Sequence, residues 1–548
     1  MTNTWWAKLP ADELTQVLVV GAGLAGLSTA MFLARRGVDV VVVERHASTS
    51  PHPRASGQPP HTMELLRVAG IADEVRAASF GLDQGLVIRI AESVHGRVFT
   101  TIMQNYADFD TSALSPAPWG MATQDRVEPI MAARAELSGA SIRFSTEVVG
   151  VEQDADGVSV RLLDRWSERL STVRADYLVA ADGHRSPIRE RLGIARHGPG
   201  SLGSLVGVLF EAELTRPTDE GAAALYYLRN KHFTGAFGRT AEENRYIFAC
   251  DYHPERGESL ADFTQQRLTE LIRIALDEPD LAPHLLSVQS WEMAARVAEK
   301  FRVGRIFLAG DAAKVTPPTG GLGGNTAIGD GYDLGWKLAA VLHGEAGAGL
   351  LDSYQPERRP YAEQVVNLSL HNAKARLNPE LDLTGLPEPL DMFELSFGYR
   401  VRSEAVLISD NDPAPAEDPH RPSGRPGFRA PHVRLLRDGV ELSTIDLFGD
   451  GWVLLTAEAG GLWHEAARHT ASRLGVPLVS HGLGADLADP DGLLTERYGI
   501  DSSGASLVRP DGVIAWRCER EPADPAGALR TALSQLLCRT VPAAVPAA

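Results

Sequence analysis

Three short clusters of residues in this chain have the types and spacing to do chemistry. The first is Gly21-Ala22-Gly23-Leu24-Ala25-Gly26. In such a GxGxxG loop the first glycine permits a tight turn and the second lets the backbone approach a pyrophosphate. The third lets the following helix pack closely on its strand. The amides and dipole of that helix N-terminus then stabilise phosphate charge. Glu44 closes the next apolar run, where a carboxylate can accept hydrogen bonds from ribose hydroxyls. Alone, the loop is a weak signal and does not separate one dinucleotide from another. A tight turn that binds nothing is the alternative, and it leaves Glu44 unexplained.

The second cluster, Asp182-Gly183-His184-Arg185-Ser186-Pro187-Ile188-Arg189, fits DGxxSxxR. The third opens with Gly310-Asp311-Ala312-Ala313 and runs through Lys314, Pro317-Pro318, Gly320-Gly321 and Gly323-Gly324 to Asn325. Asp311 ends an apolar run, so it belongs at the carboxyl edge of a parallel sheet, where ligands bind. It is equally suited to cap a helix. The prolines and glycines after it make a loop of bare backbone that can approach a flat ring. Asn325 is read as preceding a helix with Leu334, Leu338 and Val341 on its apolar face. The N-terminus of that helix can stabilise a developing negative charge.

The order GxGxxG, DG, GD resembles the class A flavoprotein monooxygenases, the group typified by para-hydroxybenzoate and phenol hydroxylases. That resemblance implies FAD as cofactor and NADPH or NADH as reductant, bound without a Rossmann domain of its own. It implies cofactor contacts by Gly21, Gly23, Ala25, Gly26, Glu44, Arg45, Arg54, Gln124, Asp182, Asp311, Pro318, Gly323, Gly324 and Asn325. Arg45 is implied near the adenosine, Arg54 near the pyrophosphate and Gln124 beside the flavin. Asp311 is implied on a ribityl hydroxyl, and Asp182 near both FAD and the nicotinamide path. Lys314 departs from the histidine that many such proteins carry there. Arg45, Arg54 and Gln124 are each also readable as surface or capping residues.

Three stretches narrow the resemblance to anthracycline and angucycline hydroxylases, most of all those of the aklavinone type. They are Pro53–Gln58, Trp291-Glu292-Met293-Ala294-Ala295-Arg296, and Asp311 through Gly321. Two C-terminal stretches, 443–451 and 504–512, are similar as well. This implies hydroxylation of a polycyclic aromatic polyketide phenol with O2, through a flavin C4a-hydroperoxide, in antibiotic biosynthesis. A Baeyer–Villiger or drug-modifying oxygenase on a polycyclic substrate is the alternative within the fold. A non-catalytic FAD-binding protein is the alternative outside it. Ionising a phenol, with a free pKa of about 10, makes its ring more nucleophilic, so a nearby cation or base helps. No motif names that group. Arg376 is the candidate for catalysis, with Arg376, Tyr227 and Trp119 as candidates for substrate binding. Each is also readable as an ordinary helix, sheet or core residue.

These clusters need elements to hold them. Val17–Val20 reads as a buried strand, Leu24, Leu27, Met31 and Ala34 as a helix face, Gly37 as its stop and Val40–Val43 as a second strand. Both strands are continuously apolar, which predicts parallel pairing in a βαβ unit. Tyr177–Ala181 and Ile306–Ala309 are further strands. Tyr226-Tyr227-Leu228 and Tyr246-Ile247-Phe248 predict a middle sheet that covers a ligand. The expected fold is α/β: a Rossmann-like FAD-binding domain, a β-sheet substrate domain and a thioredoxin-like C-terminal domain. The last is implied by the resemblance and lacks CxxC, so its expected role is structural. The division places FAD-binding parts at 1–190 and 291–405, the substrate domain at 191–290, a Pro-rich linker at 406–431 and the C-terminal domain at 432–548.

Bulk properties exclude other classes. The 548 residues carry 53 Lys+Arg against 71 Asp+Glu, a net charge of −18, which repels phosphate backbones and anionic lipids. Nucleic acid and membrane are therefore not expected partners. Three dispersed cysteines without CxxC point to neither a disulfide framework nor a metal site. No signal peptide is read, so a cytoplasmic location is expected. Trp5 and Trp6 are expected to pack on a neighbouring domain, and the oligomeric state stays open.

Overall fold

Apolar side chains, mostly valines, fill both faces of Val17–Val20, the second half of the strand Glu13–Val20, and of the strand Val40–Val43, and both runs are buried in the computed structural model of the protein. The structure describes residues 10–81, 85–104, 110–218, 223–457 and 461–539. Trp5 and Trp6 lie outside them. The strand Glu13–Val20 pairs in parallel with Val40–Val43 on one side and with Leu170–Ala180 on the other. Ile306–Leu308 adds in parallel beyond Leu170–Ala180. The apolar runs are thus the centre of an eight-stranded sheet. The helix Leu24–Arg35 crosses between its first two strands and ends before Gly37. The long helix Leu322–Leu342 packs beside it.

A second eight-stranded sheet is built around the long strands Arg196–Glu211 and His284–Ala298. It runs on through Arg245–Tyr252, Thr234–Arg239 and Ala223–Arg229. It also takes in Leu86–Ala91, paired in parallel with Ala223–Arg229, and the hairpin strand Val98–Met103. The sequence places those two strands with the first FAD-binding segment. Their partner is far along the chain, and local composition carries no trace of it. One face of this sheet buries Phe210, Tyr226, Phe237 and Phe248, and the other carries Tyr227 and Leu205.

The C-terminal sheet runs Leu478–Gly482, Trp452–Thr456, Ala505–Val508, Ile514–Cys518, the first pair parallel and the rest antiparallel. Helices Gly461–Leu474 and Pro525–Leu536 pack on it. The stretch 406–431 has no helix and only isolated bridges, at Ala416 and Arg429, as its prolines dictate. It is nevertheless tied down. Arg400 is buried and grips Asp410 with two bonds of 2.8 and 2.7 Å, and Phe428 and Ala430 are buried. No described helix is long and apolar enough to cross a membrane.

Buried charges join the parts. Glu357 accepts from Lys337 at 2.9 Å, from Arg509 of the C-terminal sheet at 2.7 and 2.8 Å, and from Ser403. Burial would raise its carboxyl, but Arg509 and Lys337 outweigh that and hold it well below the usual range. Asp333, Glu357 and Asp511 cluster closely, and the Lys337 ammonium and Arg509 guanidinium supply their positive charge.

Glu64 makes a second junction. It is buried beside Arg429, His61 and Ser115, with Arg429 Nε at 3.1 Å and Ser115 Oγ at 2.6 Å. Burial opposes its ionisation, yet Arg429 and His61 bring its pKa down to about 2. A carboxyl lowered from 4.5 contributes stability above that value and loses it as pH falls toward 2. Arg429→Leu leaves the charge buried with only Ser115 and His61 beside it and without its guanidinium, at a cost of about 3 kcal/mol near neutrality. The deficit against wild type should narrow as pH drops below about 4.5, where Glu64 is protonated in the unfolded chain. Thermal unfolding of both proteins at pH 7 and pH 4 reads this directly. A deficit independent of pH would remove the ion pair from the account.

Candidate active site

The three sequence clusters meet at the carboxyl edge of the parallel sheet. Gly21 has φ +105°, and a Cβ there would lie 2.2 Å from the carbonyl oxygen of Ala181, next to Asp182. A Cβ on Gly26 would lie 1.9 Å from the Gly21 carbonyl. Gly21→Ala is therefore expected to yield protein that purifies without flavin absorbance. Retention of the chromophore would mean that this turn does not shape the site. Gly23 has open space by contrast, with only Glu128 Oε1 near, at 3.7 Å from a built Cβ. Gly23 also caps the helix Leu24–Arg35 without a side-chain bond, so the first amides of the helix point outward.

Glu44 stands over this loop and accepts from the Ala22 amide at 2.9 Å and from the His46 amide at 2.9 Å. The His46 ring Nδ1 also lies 2.6 Å from Oε1. A carboxylate has about four acceptor positions, so capacity for a ribose hydroxyl remains. Arg45 is exposed beside it. Ala25 is buried against the third cluster: a Cβ on Gly310 would lie 2.7 Å from its own.

Arg189 explains the last position of DGxxSxxR. It is buried, and its guanidinium donates to the carbonyls of His184 and Ala312, both at 3.2 Å. One side chain thus fastens the DG turn to the GD turn. Ser186 caps the short helix Pro187–Arg191 by accepting from the Arg189 amide at 3.0 Å. Asp182 Oδ2 accepts from the Ile188 amide at 3.2 Å, while its buried Oδ1 has no hydrogen-bond partner among the described residues. Burial raises this carboxyl. Asp311 is exposed at its surface, and the protein packed around its carboxyl raises it against the pull of Lys314, His184 and Arg54.

The loop after Asp311 folds onto the Pro53–Gln58 segment. The helix begins at Leu322, so Asn325 lies in its first turn rather than before it; the apolar spacing marks only the later turns. Asn325 Nδ2 donates to Gly57 O at 2.9 Å and Gly321 O at 2.8 Å, clasping the two loops. A Cβ on Gly324 would meet Leu24 at 2.9 Å, and one on Gly323 would meet Thr316 at 3.1 Å. Pro318 is exposed on the loop and its carbonyl accepts from Gly321. The Gln124 amide donates to Ala55 O at 2.7 Å, and its side chain to Glu128 at 2.6 Å. Leu24, Ala55, Gly57, Gln124, Gly324 and Asn325 line one small cavity. Arg54 is exposed and reaches to 3.5 Å from Gln289 of the second sheet. A larger cavity of about 130 Å³ lies between the helix Leu322–Leu342 and the C-terminal sheet, but its arginines 358, 429 and 509 are already paired.

The open backbone at Gly23, the outward amides, Glu44 and the unpartnered Asp182 Oδ1 fit a dinucleotide with a polyol chain. Sequence reading assigned no role to the residues behind the loops. Glu128 is buried and bridges Gln124 and the Ser50 amide. Asp330 is fully buried and accepts from Lys314, from Arg358 at 2.8 Å and from the Gly310 amide at 3.0 Å. A charged residue inside an apolar helix pattern was the available signal for Asp330.

Tyr227 and Arg376 come together although far apart in sequence. Arg376 ends the helix Tyr354–Arg376, and its Nη1 approaches Tyr227 Oη to 3.5 Å, with the guanidinium carbon 5.6 Å from the ring centre. Arg376 Nη2 donates to Asn372 Oδ1 at 3.0 Å. Asn372 in turn lies 3.0 Å from a Cβ built on Gly320, so the pair adjoins the loop after Asp311. Trp119 is half-buried just before the strand Gly120–Thr123, which pairs with Ser56–Gln58. It lies on a different element from the Tyr227–Arg376 pair.

Comparison with known proteins agrees with this geometry. Residues 14–369 match the model of an FAD binding domain, and 423–540 that of the aromatic-ring hydroxylase C-terminal domain. The chain is 51% identical to an aklavinone 12-hydroxylase of Streptomyces purpurascens, over 96% of this chain and all of that protein. It is 40% identical to a tetracenomycin A2 monooxygenase-dioxygenase of Streptomyces glaucescens, over 97% and 98%. The crystal structure of an aklavinone-11 hydroxylase with FAD and aklavinone superimposes with a TM-score of 0.93 at 50% identity, covering 97% of this chain and all of that one. FAD is the cofactor of this group and NAD(P)H its typical reductant. The chain belongs to the FAD-dependent aromatic-ring hydroxylases.

Proposed function

We propose that the protein hydroxylates a polycyclic phenol of the aklavinone type in antibiotic biosynthesis, using NAD(P)H and O2. The observation that carries this reading is the Arg376–Tyr227 pair set against the loop after Asp311. A permanent cation there favours the phenolate form of a bound phenol, and Tyr227 can hold the same oxygen. FAD, when bound, supplies hydride acceptance and activation of O2. Gly21, Gly23, Gly26 and Glu44 would hold its nucleotide half, and Asp182, Asp311, Asn325 and the 318–324 backbone its ring and polyol. Arg45, Arg54 and Gln124 would flank it. The protein's own part is to orient the ring, hold the phenol ionised and exclude water. The strand order of the C-terminal sheet supports a thioredoxin-like domain beyond about residue 432, and the two eight-stranded sheets support separate cofactor and substrate domains. Free cysteines at 250, 518 and 538 support a cytoplasmic location.

Anaerobic reduction by NADPH, then mixing with O2 and aklavinone, tests the reading. A product heavier by one oxygen and retaining all its rings is expected. A ring-expanded lactone would move the assignment to Baeyer–Villiger chemistry. Absence of substrate-stimulated NADPH consumption would point to a non-catalytic FAD-binding protein.

A further inference from the structure

Resting on the hydroxylase reading, we propose that Trp291 is an aromatic shelf that selects a flat substrate of several fused rings. The floor beside it is made by Gly207, Ala249 and Ala236. The sheet register sets this out. Gln289, Gly207, Ala249, Ala236, Tyr227 and Ile90 are successive cross-strand partners, so all six positions share one face. That face is the one carrying Tyr227 and therefore Arg376. Three consecutive positions in the row are glycine or alanine, and all three are half-exposed in the middle of an eight-stranded sheet. Their neighbours on the opposite face, Val206, Val208, Phe237 and Phe248, are buried. Room is therefore left on the Tyr227 side and not on the other.

Trp291 pairs with Leu205, one step along the same face. Its indole leans over Gly207: a Cβ built there would lie 3.2 Å from Trp291 Nε1. Trp291 is 38% exposed, on a stretch of its strand that lies at the sheet edge because Lys314–Val315 pairs only with Arg296 and Val297, so the ring faces open space and not core. From Gly207 to Tyr227 the row crosses three strand spacings, about 14 Å. That span is long for one phenol ring and suits a row of fused rings, with the phenol end at Arg376 and the far end under the indole. Both ends adjoin the cofactor loops. Gln289 lies 2.6 Å from His52 Nε2, and Asn372 links Arg376 to Gly320. A planar ring stacked on an indole gains beyond its buried area, which a short monocyclic phenol at Arg376 does not reach.

Binding is measured on the oxidised FAD holoenzyme, without reductant, by the perturbation of flavin absorbance. The probes are a planar tetracyclic phenol, an anthracycline aglycone, and a monocyclic phenol. Trp291→Ala is expected to weaken the tetracycle by about 10-fold or more and leave the monocycle within about 3-fold. Trp291→Phe should stay within about 3-fold of wild type for both. Ala249→Leu, which leaves Trp291 intact and fills the floor, should weaken the tetracycle selectively by about 10-fold. Bound FAD content reports folding in each variant. Equal tetracycle affinity in Trp291→Ala and wild type, equal losses for both probes, or no tetracycle binding by wild type would each overturn the proposal. Tetracycle binding with the expected selectivity but no oxygenated product from wild type would instead overturn the hydroxylase reading and leave the shelf in place.

Discussion

Arg376→Met should lower the turnover of phenol hydroxylation by about 10²–10³-fold, the range for losing a preorganised charge at a reacting centre. Reduction of the flavin by NADPH should change far less, because among the described residues Arg376 is joined to the nucleotide loops through Asn372. The decisive readout is the pH profile. An arginine keeps its charge through the accessible range, so it favours the phenolate at every pH. Without it, a bound phenol returns toward a pKa of about 10. The ionised fraction then rises about tenfold for each pH unit below that value. The variant's turnover should climb with pH while the wild type stays nearly flat, and the deficit should shrink on the alkaline side. Arg376→Lys keeps the charge but not the fork that spans Tyr227 Oη and Asn372 Oδ1, so partial rescue is expected. A pH-independent deficit in Arg376→Met would assign the residue to packing against Tyr227 and not to charge.

That pair also marks the limit of what the sequence discloses. The nucleotide half of the site is local: a strand, a turn and a helix lie within Glu13–Arg35, and each residue's job follows from its immediate neighbours. The expected strands at 17–20, 40–43, 177–181 and 306–309 all lie in or at the ends of strands of the parallel sheet for the same reason. Tyr227 and Arg376 sit on elements whose contact is set by the whole fold, and only their chemical types recommended them. The reach of the second sheet to Val98–Met103 was hidden likewise, because its pairing is non-local. The stretch 406–431 shows the opposite error. Proline content correctly forbids regular structure, but says nothing about Arg400, Arg425 and Arg429 pinning it through side chains. DGxxSxxR was legible as a motif and opaque as a mechanism until Arg189 was seen to join two turns.

Lys314→Met should weaken FAD retention by about 10²-fold, ~3 kcal/mol, although Lys314 reaches no cleft surface. The argument runs through Asp330. This buried carboxylate would be raised by burial, but Lys314 and Arg358 flank it and lower it. So held, it accepts the Gly310 amide and sets the turn that presents Asp311. Removing the ammonium leaves Asp330 under-compensated and loosens that turn. It also removes the cation that most strongly opposes the rise of the Asp311 carboxyl. A carboxyl with a raised pKa is lost as an acceptor at higher pH, so the variant's FAD affinity should fall earlier on acidification than the wild type's. Gel filtration of holoenzyme at pH 8 and pH 6 measures this as the fraction of flavin that co-elutes. Lys314→His should retain FAD, since an imidazole can carry the same charge beside Asp330. A merely structural role predicts equal loss at both pH values. Equal retention by Lys314→Met and wild type at both would show that the buried triad does not govern the loop it underlies.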